Sequence, residues 1–117
     1  MRGICYGPVP WGQDPGYSEP WGDLFTDEYE DLWRRDLALM VEMGANTVRL
    51  YTLKTSVRHA KFLDLAYSLE LSVVAAFEVG KAQERPLGTF AARAAAKAEL
   101  RKQIDASLHP AITMWLV

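Results

Sequence analysis

Four short runs of β-branched or apolar residues alternate with three longer stretches of helical periodicity, and this alternation constrains the chain more than any single motif does. The runs are Gly3–Tyr6, Asn46–Tyr51, Ser72–Glu78 and Ala111–Val117. The third is apolar almost throughout, which suits a strand covered on both faces in a parallel sheet. The first helix is predicted to start at Thr26 or Asp27, where a hydroxyl or carboxylate can cap free N–H groups, and to end at Met43, with Gly44 as its stop. Trp33, Leu37, Met40 and Val41 fall on one stripe of it, with Asp31, Arg34, Arg35 and Glu42 opposite. The second helix is predicted over Ser56–Leu69, with Phe62, Leu63 and Ala66 as its apolar stripe. Glu70 stands after it, where a glycine cap would be expected. The third, Thr89–Ser107, is alanine-rich at first, then carries Leu100 and Ile104, and stops before His109-Pro110.

The order βαβαβαβ defines the α/β class. Parallel strands joined by right-handed helical crossovers leave two main architectures, the closed barrel and the doubly wound open sheet. The first loop decides between them. A dinucleotide-binding open sheet carries a glycine-rich turn there, whereas the segment Gly7–Gly22 is long, aromatic and holds Pro8, Pro10, Pro15 and Pro20. A partial (β/α)8 barrel is therefore expected, with about four parallel strands and three helices. A complete barrel takes about 250 residues. The 117 residues are accordingly expected to form its N-terminal half as one domain, stopping before the fifth strand.

Composition narrows the partners. Half of the residues are apolar, enough for a packed core, and a net charge of -2 gives no electrostatic reason to expect nucleic acid or an anionic membrane surface. No run approaches the roughly 20 apolar residues of a membrane span. Cys5 is the only cysteine, so no intrachain disulfide forms and the compartment stays undetermined. No metal site and no cofactor are expected. Four strands without closure leave two sheet edges and a barrel-facing surface unpaired, an arrangement that invites self-association.

Side-chain alternation along the second strand puts Val48 and Leu50 toward the helices and Thr47, Arg49 and Tyr51 toward the barrel interior. Arg49 then lies at the strand's C-terminal end, where barrel enzymes build their sites. An inward arginine is costly unless it meets an anion, which is either a catalytic carboxylate or a structural ion-pair partner. The first loop carries Trp11, Tyr17, Trp21 and Phe25 among Asp14, Glu19 and Asp23. Aromatic faces stack on pyranose C–H faces and carboxylates accept sugar hydroxyls, so Trp11 and Trp21 are candidate sugar contacts; otherwise the aromatics pin the loop to the barrel. Glu78 shares the parity of Ala76 and either points into the site or belongs to the following loop. Asp23, Asp27, Glu28, Glu30 and Asp31 are read as a helix start, where negative charge offsets the helix dipole. His59, His109 and the helical Asp36 are read as structural.

The runs RGICYGP (Arg2–Pro8), DLALMVEMGANTVRLY (Asp36–Tyr51), LSVVAAFEVG (Leu71–Gly80) and HPAITMWLV (His109–Val117) together resemble the clan A glycoside hydrolases, particularly the β-1,3-glucanosyltransferase-like branch. The resemblance implies a retaining glycosidase or transglycosylase acting on β-linked oligo- or polysaccharides. It gives Arg49 the role of contacting the nucleophilic glutamate, and makes Tyr6 and Tyr51 sugar-lining aromatics. In that clan the acid/base glutamate follows the fourth strand in an Asn-Glu pair and the nucleophile follows the seventh. Neither position exists in this sequence, so both catalytic carboxylates are expected beyond Val117. Retaining hydrolysis needs two carboxyl groups about 5 Å apart, and no pair here is a candidate. A non-catalytic carbohydrate-binding barrel would keep the aromatic loop and lack those carboxylates. A barrel aldolase or lyase would use a strand-end lysine or a metal cluster, and Lys54, just past the second strand, is the only near miss.

Overall fold

The structure, a computed structural model, describes residues 1–14, 19–54, 56–77 and 87–117. Its elements in chain order are β1 (Gly3–Tyr6), a 3-10 turn (Asp27–Tyr29), α1 (Glu30–Glu42), β2 (Thr47–Leu50), α2 (Ala60–Ser68), β3 (Ser72–Ala76), α3 (Phe90–Ala106) and β4 (Ile112–Leu116). The strands form one sheet in the order β1-β2-β3-β4, and each neighbouring pair is parallel. The chain is thus an α/β protein with four parallel strands and three helices in βαβαβαβ order.

A sequential order without reversal is informative. A doubly wound sheet reverses its strand order so that helices cover both faces, whereas right-handed crossovers that always step in one direction send every helix to the same face. The burial pattern shows this for α1 and α2. Val48, Leu50, Val73 and Ala75 are buried and join Tyr6 in one core with Trp33, Leu37 and Met40 of α1 and Phe62, Leu63 and Ala66 of α2. On the opposite face Cys5 and Arg49 are exposed, in register with each other and with Val74, and Met114 pairs with Val74 from β4. The register slips between Val73 and Val74, where β4 advances two residues, from Ile112 to Met114. Thr113 is the extra residue of a bulge, which bends the strand locally.

The core is built on aromatics. Trp33 meets Phe62 edge-on at 5.6 Å between ring centres, Phe62 meets Phe25 at 5.0 Å, and Phe25 meets Tyr6 at 5.7 Å. Phe25 and its neighbour Leu24 are almost fully buried, so the end of the first loop is nailed into the layer between sheet and helices. The Trp33 indole N–H donates to the Thr26 carbonyl at 2.9 Å, which satisfies its one polar atom in that layer.

Several expectations are corrected. Thr26 makes no side-chain cap; the first turn is a 3-10 turn and α1 proper begins at Glu30. Val41 is exposed rather than part of the buried stripe of α1. The second helix begins at Ala60, four residues later than the periodicity predicts, and the buried His59 is its N-cap with a non-helical backbone (φ -109°, ψ 30°). Its C-terminal end matches: Glu70 takes the left-handed conformation of a glycine cap (φ 58°), and Leu71 N–H donates to the Ala66 carbonyl at 2.9 Å. In α3 the Thr89 hydroxyl accepts from Ala92 N–H at 3.1 Å. Along that helix only Gln103 is buried, while Leu100 and Ile104 are half-covered, since an alanine-rich surface offers little to bury.

Candidate functional site

The bare face of the sheet and the C-terminal ends of β1 and β2 gather most of the candidates. Arg49 is exposed on that face, and its guanidinium carbon lies 4.8 Å from the centre of the Tyr51 ring. That distance is cation–π range. Among the described residues no carboxylate forms a salt bridge with Arg49 within 4 Å. The neighbouring Cys5 side chain, in register with Arg49, pushes the Tyr51 phenol above its ordinary value, and the Arg49 charge pulls it back.

Beside this pair an open cleft of about 320 Å³ is lined by Gly7, Pro8, Val9, Trp21, Gly22, Tyr51 and Thr52. It runs between the segment that leaves β1 and the segment that leaves β2. Trp21 forms one wall, half-exposed, with Tyr51 on the other. Trp21 sits at φ 57°, a left-handed conformation unusual for a large side chain, and the following Gly22 is left-handed at φ 82°. Two contacts hold that bend: the Trp21 indole N–H donates to Glu19 Oε1 at 2.7 Å, and Asp23 N–H donates to the Pro20 carbonyl at 3.2 Å. The Glu19 carboxylate in turn receives the Lys54 ammonium, which holds its pKa below the ordinary range.

The structure brings Arg49, Tyr51 and Trp21 together and leaves the other candidates apart. Tyr6 alternates to the helix side: it is buried, its ring packs on Phe25, and its hydroxyl donates to Asp36 Oδ2 at 2.9 Å. Burial and the Asp36 contact raise its pKa strongly. From there it cannot line the face that carries Arg49, so the expectation that Tyr6 contacts sugar is replaced by a role in the core. The reason is the two-residue period of a strand, which turns Tyr6 and Cys5 to opposite faces. Trp11 projects fully into solvent and does not line the cleft. Glu78 and Tyr17 lie outside the described residues.

Asp23 also departs from its expected place. It is not part of the helix start; its side chain is completely buried and its carboxylate takes both His59 Nε2, at 2.8 and 3.0 Å, and the Lys54 backbone N–H, at 3.0 Å. A signal for this pair exists in the sequence. His59 precedes Phe62 and Leu63 by three and four residues, so it extends the buried stripe of α2, and a polar ring there must find a partner. His109, by contrast, bonds the exposed Asp64 at 2.8 Å and accepts from Ala111 N–H at 3.1 Å.

Fold and site together define a singly wound parallel α/β sheet with an arginine–tyrosine stack and an aromatic cleft at its C-terminal edge. No family model, curated protein or solved structure matches the chain. Among the described residues no cluster of three or more His, Cys, Asp or Glu side chains is arranged to hold a metal, and no helix is long and apolar enough to cross a membrane.

Proposed function

We propose that the chain supplies the first three βα units and the fourth strand of a (β/α)8 barrel that binds β-linked glycans and belongs to a retaining glycoside hydrolase or transglycosylase. One observation carries the reading: Arg49, over the ring of Tyr51, stands at the C-terminal strand ends on the sheet face opposite the α1–α2 core, beside a cleft lined by Trp21. Strand-end residues on that face are where barrels carry their chemistry. In this reading Trp21 and Tyr51 offer ring faces to a pyranose. Arg49 keeps a partner carboxylate ionised and oriented through charge-assisted hydrogen bonds. The two carboxylates of the reaction come from later strands.

The lyase alternative finds less support, because the Lys54 ammonium is committed to Glu19 rather than held free as a nucleophile. A carbohydrate-binding barrel without catalysis shares every feature of the cleft. The test is the coding sequence beyond Val117. A retaining glycosidase should continue within about three residues into Gly-Asn-Glu or a close variant, since the fourth strand must deliver the acid to the barrel top. A continuation with no Glu or Asp there removes the catalytic reading and leaves the binding one.

A further inference from the structure

The two walls of the aromatic cleft belong to different crossover segments, and one buried side chain joins them. Trp21 lies two residues before Asp23 and Tyr51 lies three residues before Lys54. The Asp23 carboxylate accepts the Lys54 backbone N–H at 3.0 Å, while both of its oxygens lie within 3.0 Å of His59 Nε2. The side chains of Asp23 and His59 are both 0% exposed. His59 Nδ1 has no partner among the described residues, so Asp23 is the one polar contact aiming that ring. From the other side Gln103 Nε2 donates to the Leu53 carbonyl at 2.7 Å. The peptide between Leu53 and Lys54 is therefore gripped through its C=O by α3 and through its N–H by Asp23. A second, solvent-exposed route closes the ring: Lys54 Nζ meets Glu19, and Glu19 receives the Trp21 indole.

These contacts do what the local backbone cannot. Trp21 occupies a left-handed conformation that costs a non-glycine residue about 1–2 kcal/mol, and such a residue persists only when its surroundings over-determine it. A fully buried carboxylate with three hydrogen-bond contacts is a stiff anchor, whereas an exposed ion pair of long side chains is a loose one. We infer that Asp23 is a positioning residue of the cleft: by holding the Lys54 amide and the His59 ring it fixes the spacing of Trp21 from Tyr51, with Lys54 as the secondary tether of the indole. The carboxylate faces neither solvent nor the cleft, so it acts through those two aromatics and does not touch a ligand.

The ligand arm of the test rests on the reading of the cleft as a glycan subsite; the structural arm does not. The chain is studied with assigned indole N–H and Tyr51 ring resonances in the free protein, with amide exchange at Lys54, and by titration with linear β-1,3- and β-1,4-linked glucohexaoses. Asp23→Asn keeps an acceptor for the Lys54 amide. It should retain slow exchange there, wild-type Trp21 and Tyr51 resonances, and hexaose affinity within about twofold, the small change expected when a hydrogen-bonding geometry is kept. Asp23→Ser keeps a hydroxyl but cannot reach. It should lose Lys54 protection, shift both aromatic resonances without ligand, and weaken hexaose binding about tenfold, which is 1.4 kcal/mol. Lys54→Met leaves the backbone N–H and the core untouched, so it tests the secondary tether even if Asp23→Ser does not fold; it should shift Trp21 alone. A folded Asp23→Ser protein with wild-type aromatic resonances overturns the inference, as does a Lys54→Met protein in which Trp21 is unmoved. Wild-type protein that binds neither hexaose counts against the glycan reading, while the resonance shifts still decide the role of Asp23.

Discussion

The guanidinium of Arg49 lies over the ring of Tyr51, two residues further along the chain, with 4.8 Å from its carbon to the ring centre. Tyr51 is the first residue past β2, and its ring still falls on the side of the sheet that carries Arg49. Among the described residues no carboxylate forms a salt bridge with this guanidinium.

That geometry makes the arginine hard to replace. Lysine carries the charge but neither the planar fork nor the same stacking surface. In the complete enzyme of the proposed reading, Arg49→Lys should lower kcat by about 10² while KM changes little, comparable to losing one charge-stabilising donor. Arg49→Ala, which removes the cation, should also raise the acidic-limb pKa of kcat/KM. Melting temperature and the pH–rate profile, measured together, check this; a less stable variant with normal turnover would return Arg49 to a structural role.

Tyr6 gives a prediction about alkaline pH. Its hydroxyl is buried and donates to Asp36, and both features raise its folded pKa above the ordinary value, burial most. A raised folded pKa means that the stabilisation is fully present below the unfolded value of about 10 and is lost as pH climbs from there toward the folded value. Chemical denaturation at a series of pH values should therefore show stability falling above about pH 10. Tyr6→Phe should remove this component of the decline, at a cost near neutrality of about 1 kcal/mol for the lost hydrogen bond.

Glu70 offers a stabilising substitution. It holds φ 58° at the end of α2, where the chain closes with Leu71 N–H on the Ala66 carbonyl. Glu70→Gly should relieve about 1 kcal/mol of left-handed strain and raise the melting temperature. Gly44, at φ 84° after α1, is the reverse case. Gly44→Ala should destabilise by about 1 kcal/mol in the same assay.

The edge strands predict association. β4 carries Ile112, Thr113, Met114, Trp115 and Leu116 with no charge or proline to blunt it, and Met114 is 46% exposed on the bare face. Sedimentation of the 117-residue chain should show an average mass rising with concentration. Met114→Lys should shift it toward monomer at equal concentration. A wild-type chain that stays monomeric throughout would show that the bare face and edges are not sticky in solution.

Much of the fold was legible along the chain. The β1 run, the Gly44 stop, the Trp33–Leu37–Met40 stripe, the Phe62–Leu63–Ala66 stripe and the glycine-like place of Glu70 all follow from periods of two and 3.6 and from cap chemistry, which are local properties. The alternation also placed Val48 and Leu50 toward the helices and Arg49 away from them. What the local pattern could not decide is which distant groups meet. Tyr6 has the look of a strand-end aromatic, yet its parity and the approach of Asp36, thirty residues away, turn it into a core residue. Asp23 reads as one more acid before a helix, and only the packing of the first loop beneath Leu24 and Phe25 carries it to His59, thirty-six residues on. Partners so far apart in sequence are chosen by burial, because a carboxylate sealed from water must find its donors wherever the tertiary structure brings them.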